Sequence, residues 1–159
     1  LVAPGQSVTW GGSVSFTQSG IKAALEADGH PMIDRALATT PEEQEEMWRR
    51  QVSADWFFMG ANAITLDGEL VNIHGPKHVC VIAGMNKVVS DVESGLKRIR
   101  TVTCPLNAAR LHTATPCELT GVCADCHTKG CMCCQEVITR HSRHADRIHV
   151  VLVGESLGY

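Results

Sequence analysis

Two apolar runs dominate the hydrophobic pattern: Trp56 to Met59 and His78 to Ala83, each stopped by a glycine, Gly60 and Gly84. Both are too short for buried helices and rich in aromatic or β-branched residues, so they read as central strands covered on both faces. Gln6 to Trp10 alternates polar and apolar residues into Gly11-Gly12-Ser13, a strand entering a loop. A helix follows, with Ile21, Ala24 and Leu25 on one face and Gly29 placed to cap it near Asp28; Pro31 to Ile33 is a short strand. Thr40-Pro41-Glu42-Glu43 combines an N-cap, a proline at the first helical position and a capping-box glutamate, and predicts a helix that buries Trp48 and Val52. Asp67-Gly68 reads as a hairpin turn between Ala63 to Thr65 and Glu69 to Ile73. Ser90-Asp91-Val92-Glu93 repeats the capping-box pattern before a helix with Val92, Leu96 and Ile99 as its stripe and Arg100 as its close. From Thr101 to Met132 periodicity disappears, and Arg147 to Gly154 restores a strand.

Strand, helix and strand in alternation predict a three-layer α/β/α sandwich with a mostly parallel sheet and right-handed crossovers. At 159 residues the chain fits one domain, residues 1–159, with a cysteine-rich irregular segment at 104–134 inside it. One join is short. Ile73, His74 and Gly75 leave few links of ~3.8 Å for the chain to cross from the hairpin to the strand at His78, so a break in the numbering is expected there.

Charge narrows the partners. The net charge is −3 and the basic residues are scattered apart from Lys97, Arg98 and Arg100, which is unlike the basic stripe of a nucleic-acid binder. No apolar run approaches the ~20 residues of a membrane span and no leader opens the chain, so a cytoplasmic protein is expected. Seven of the eight cysteines lie between Cys104 and Cys134, a crowding that suits metal binding or thiol chemistry better than a dispersed disulfide framework.

The cysteine pattern Cys117-x5-Cys123-x2-Cys126-x6-Cys133, with Cys131 and Cys134 beside its last position, can bring four soft thiolates into one small volume. That donor set suits an iron–sulfur cluster or, as the alternative, tetrahedral zinc; reduced thiols or a disulfide stay open. His112 and His127 are substitute ligands or plain surface histidines, and Cys80 reads as core. A second constellation sits at the strand ends, where open α/β sheets gather ligands. There the Gly11, Gly12 and Ser13 backbone can cradle an anion, Asn62 and Asn86 can orient it, and Lys87 can hold a carboxylate or phosphate. The competing reading makes the glycines a tight turn and the asparagines turn caps. No nucleophile elbow, full dinucleotide fingerprint or P-loop is present.

Several stretches together resemble the LUD domain, named for lactate utilisation: Val8-Thr9-Trp10-Gly11-Gly12-Ser13, Gly60-Ala61-Asn62-Ala63-Ile64-Thr65, Asp67-Gly68-Glu69-Leu70-Val71-Asn72, Gly84-x-Asn86-Lys87, Thr115-Pro116-Cys117, Thr120-Gly121-x-Cys123-x-Asp125-Cys126 and Gly154-Glu155-x-Leu157-Gly158-Tyr159. The resemblance implies a NagB/RpiA/CoA transferase-like α/β fold and, in some members, a part in an iron–sulfur complex oxidising L-lactate to pyruvate. The expected function is therefore that of a redox component or accessory subunit in 2-hydroxy-acid metabolism. The expected partners are a small anionic substrate, redox subunits and a second copy as homodimer. Two alternatives stand beside it: an enzyme acting on a sugar phosphate or CoA-linked substrate, and a non-catalytic metal-binding or assembly module. The chain departs from the family pattern at Cys131, where arginine is usual, which leaves the fourth ligand open among Cys131, Cys133 and Cys134. It also lacks the family's helix ahead of the first strand and its longer path between Asn72 and Gly75.

Overall fold

The computed structural model describes residues 1–72 and 78–159; the short join expected at Ile73, His74 and Gly75 lies outside the described residues. In chain order the elements are β1 (Val8–Trp10), α1 (Val14–Gln18), α2 (Ile21–Ala27), β2 (Met32–Ile33), α3 (Pro41–Ser53), β3 (Trp56–Gly60), β4 (Ala63–Thr65), β5 (Leu70–Asn72), β6 (His78–Gly84), β7 (Val88–Val89), α4 (Val92–Arg98), α5 (Cys104–Leu111), α6 (Pro116–Thr120), β8 (Val137–Thr139) and β9 (Ile148–Val153). They divide into two compact units, one built from Leu1–Gly60, β6 and Ser142–Gly158, the other from Ala61–Asn72 and Met85–His141.

The first unit holds a five-stranded sheet in the order β2-β1-β3-β6-β9. Every pairing in it is parallel. The two runs that anchor the hydrophobic pattern are β3 and β6, with Phe58 opposite Cys80. Their side chains pack with Val8, Phe16, Leu25 and Leu157 into one core, where Phe16 stacks on Phe58 at 5.2 Å between ring centroids. Burying such an aromatic side chain contributes roughly 1.5–3 kcal/mol. Helices pack on this sheet, so the α/β class with a mostly parallel sheet holds. Two helices, rather than one, follow the first strand, because Gly20 takes a left-handed φ of 75° between α1 and α2.

The expectation that α3 buries Trp48 and Val52 is wrong. Trp48 is 63% exposed and Val52 45%, and every residue of α3 is at least partly exposed. Glutamates and arginines so outnumber apolar residues along this helix that no stripe forms. Its start is held instead by the capping box, in which Thr40 Oγ1 accepts from the Glu43 N–H and the Glu43 carboxylate accepts from the Thr39 and Thr40 N–H groups. Further along, Gln51 donates to Thr9 Oγ1 at 2.8 Å.

The second unit carries a four-stranded sheet, β7-β4-β5-β8. β4 and β5 form the expected antiparallel hairpin, with Gly68 at φ 82° in its turn. β7 runs parallel to β4, and β8 antiparallel to β5. Ala63, Val71, Ile99 and Cys104 form this unit's buried cluster, and α4 lies close on the sheet because a Cβ on Gly95 would sit 3.0 Å from Val71 Cγ2. The irregular stretch expected from Thr101 is a helix for its first part. α4 passes through a π-helical segment, Ile99–Thr103, straight into α5. Pro105 has no N–H to give and would clash with the preceding turn of an ordinary helix; as one of the first residues of α5, directly after the wider π turn, it is accommodated. The start of α4 also differs in detail: Asp91, not Ser90, is the N-cap, accepting from the Ser94 N–H at 2.7 Å.

Candidate functional site

Asn62, Asn86 and Lys87 all belong to the second unit, and a residue that the sequence did not single out links them. Arg98, the last residue of α4, donates from Nη1 to the Asn62 carbonyl at 2.7 Å and from Nε to the Asn86 carbonyl at 3.1 Å. The same Nη1 also donates to Thr103 Oγ1 at 2.9 Å. On its other side the Asn62 peptide N–H donates to Asn72 Oδ1 at 3.1 Å. The turns that carry the candidate amides are thus tied to one planar cation.

Lys87 ends a 3-10 turn, Met85–Lys87, ahead of β7 and is only 4% exposed. Burial first, and the Arg98 charge second, push its ammonium down from 10.5 to about 8. Burial also lowers the pKa of Arg98 itself. An amine in this range is cationic at neutral pH and still close to giving up its proton, which suits both binding of a carboxylate or phosphate and proton transfer.

In the first unit, the Gly11, Gly12 and Ser13 loop serves the start of α1. Ser13 Oγ accepts from the Phe16 N–H at 3.2 Å, and the Gly11 N–H donates to the Phe58 carbonyl at 3.1 Å. Gly60 is required where it stands, since a Cβ there would meet Ser13 Oγ at 2.6 Å. The guanidinium of Arg35 lies beside Gly12, with Nη2 3.4 Å from where a Cβ would be.

All eight cysteines are free thiols. Of the spaced four, Cys117 is buried near the start of α6 with Sγ 3.3 Å from Thr115 Oγ1. Cys123 Sγ accepts from the Asp125 N–H at 3.4 Å, and Cys126 Sγ lies 3.6 Å from Thr128 Oγ1, whose hydrogen bond lowers the Cys126 pKa. Cys133 Sγ lies 3.3 Å from Cys131 Sγ. Cys134 is exposed. The missed member is Cys104 of α5: burial pushes its thiol up to about 11, the neighbouring Cys133 draws it down, and Cys117, Cys123 and Cys131 add to the rise. The hydrogen bond to Cys133 is the main cause that pushes Cys131 up to about 12. Cys104 thus feels Cys117, Cys123, Cys131 and Cys133, thiols with the soft donor chemistry that zinc and iron–sulfur centres use. Among the described residues, no three His, Cys, Asp or Glu side chains are grouped so as to hold a metal ion. His112 is occupied with Glu118, Nδ1 to Oε1 3.4 Å.

Arg98 and Cys104 both escaped the sequence because their roles depend on the helix running on past Arg100. With α4 ended there, Arg98 is one of three basic residues on a helix tail and Cys104 a stray in a loop.

Among the described residues no helix is long and apolar enough to cross a membrane. No curated protein matches the chain. The family model of the LUD domain matches residues 1–153 of the 159, nearly the whole chain. That family is associated with lactate utilisation. A match of that extent shows the family: the chain belongs to the LUD domain family.

Proposed function

We propose that this LUD-domain chain works in lactate or related 2-hydroxy-acid utilisation by holding a small carboxylate at Lys87, with the amides of Asn62 and Asn86 to orient it. The observation that carries the reading is the buried amine of Lys87, lowered to about 8 and adjoining a turn anchored by Arg98. A charge-assisted bond from such an amine to a carboxylate contributes roughly 1.5–3 kcal/mol, several times the value of an exposed pair. Gly11, Gly12 and Ser13, beside Arg35 in the other unit, are a separate candidate anion contact. Titration of L-lactate, pyruvate and inorganic phosphate into the wild-type protein and Lys87→Met by calorimetry tests the reading. Affinity for one of them should fall ~10- to 100-fold in the variant. Equal affinities in the two proteins would refute it.

A redox role in the same metabolism rests on a different observation, the contacts among thiols. In this reading Cys117, Cys123, Cys126 and Cys133 hold an iron–sulfur cluster, or zinc as the alternative, with Cys104 at hand as a further ligand. A bound cluster would supply one-electron transfer. The Thr115 and Thr128 hydroxyls would serve by hydrogen-bonding the sulfurs of Cys117 and Cys126. Metal analysis and a visible spectrum of anaerobically prepared protein decide the matter, and protein with neither metal nor charge-transfer absorption would remove the redox role.

A further inference from the structure

We infer that Arg98 is the positioning residue of the anion site, acting as a planar fork that sets the turn at Asn62 and the turn at Asn86-Lys87 in one fixed relation. This rests on the reading that Lys87 binds an anion, but the clamp itself can be tested without any ligand.

The geometry has three parts. Nη1 and Nε of one guanidinium reach two main-chain carbonyls 24 residues apart in sequence, Asn62 O at 2.7 Å and Asn86 O at 3.1 Å. The fork is itself held, because Thr103 Oγ1 takes a second bond from Nη1 at 2.9 Å, and the π turn places that buried threonine five residues after Arg98. The Asn62 peptide is fixed from its other end by the buried Asn72 side chain. Arg98 thus directs these donors to protein acceptors, so its effect on a ligand passes through Lys87, whose peptide begins at the Asn86 carbonyl. A lysine in its place would keep the charge and lose the fork, since an ammonium on a flexible stem cannot hold two carbonyls in a set relation as a rigid plane does. The charge has a second effect: after burial, it helps lower the pKa of the neighbouring Lys87 amine.

The test compares Arg98→Gln, Arg98→Lys and, as control, Arg100→Gln, whose residue is exposed and paired with Glu136. Amide hydrogen exchange of ligand-free protein should quicken on the order of tenfold at both turns, Ala61 to Ala63 and Met85 to Val88, in both Arg98 variants and not in the control. In Arg98→Gln the titration midpoint of the Lys87 amine, followed by NMR of isotopically methylated lysines, should rise. A loss of packing elsewhere would not move it. L-lactate affinity should fall in both Arg98 variants. Exchange at both turns unchanged in Arg98→Gln, or fully restored in Arg98→Lys, overturns the inference; the lysine variant decides it if the glutamine variant does not fold. Wild-type protein that binds no L-lactate, pyruvate or phosphate would refute the anion site instead, while the exchange data still judge the clamp.

Discussion

The sulfurs of Cys131 and Cys133 stand 3.3 Å apart, and no bond joins them. One residue separates the two, and Cys131 is turned back by its N–H donating to the Thr128 carbonyl at 2.9 Å. Thiolates of one tetrahedral centre, with metal–sulfur bonds of ~2.3 Å, lie about 3.8 Å apart, so this pair is close to the spacing that a shared metal needs. Anaerobic protein reconstituted with iron and sulfide, or with zinc, is expected to lose at least half of its bound metal in Cys133→Ser and Cys117→Ser and to keep it in Cys80→Ala. Cys80 serves as the control because it lies in the core of the other unit. Equal metal content across the set would contradict the ligand assignment.

Lys87 gives the protein a definite pH signature. Its folded pKa of about 8 lies below the ordinary 10.5, so above pH 8 the unfolded chain binds the proton that the folded one has released. Stability therefore rises as pH goes from about 8 toward 10.5, on the order of 1–3 kcal/mol from this group. Urea unfolding across that window should show the rise in wild-type protein and a flatter profile in Lys87→Met. On the proposed reading, binding of L-lactate should run the opposite way and weaken as pH climbs through about 8, because the Lys87 cation would disappear.

Gly130 places the cysteine segment against the chain between α5 and α6. A Cβ there would lie 2.2 Å from the Thr113 carbonyl oxygen, a main-chain atom that cannot swing aside. Gly130→Ala should cost about 1–3 kcal/mol in thermal or denaturant unfolding. It should also make Cys131 and Cys133 react faster with a thiol reagent. A variant as stable as wild type, with unchanged thiol rates, would show that the segment is not anchored here.

Because α3 has so little buried surface, its capping box matters more than such a motif usually does. Thr40→Ala should lower stability by ~0.5–2 kcal/mol. Local amide exchange should be faster across the first turn of α3, whereas Trp48→Ala, at an exposed position, should change stability by less than about 0.5 kcal/mol.

Strands were legible wherever burial is two-sided. β3 and β6 have no polar face to dilute the signal, and the Asp67-Gly68 turn announces its hairpin through one glycine at positive φ. β8 was not legible: Val137 to Thr139 is short and half exposed, so its pairing with β5 comes from tertiary contact rather than from pattern. The candidate site divides in the same way. Asn62, Asn86 and Lys87 could be named because they follow recognisable strands. Arg98 could not, since its partners are main-chain carbonyls that leave no mark in a sequence. The continuation of the helix beyond Arg100 was hidden by Pro105, the kind of residue that ordinarily reports a helix end.

That hidden continuation makes the π turn a matter of phase. An α-helix advances roughly 100° per residue, so one residue more or fewer between Arg98 and Thr103 would turn the two side chains away from each other by about a quarter of a revolution. Deleting Thr101, whose side chain only bonds back to the Lys97 carbonyl, would let the segment relax into regular α-helix and would strand Pro105 inside it. The chain would keep every residue of its strand-end turns and lose their alignment. In this protein the spacing of a helix, as much as any side chain, sets where the two turns beside a buried amine stand.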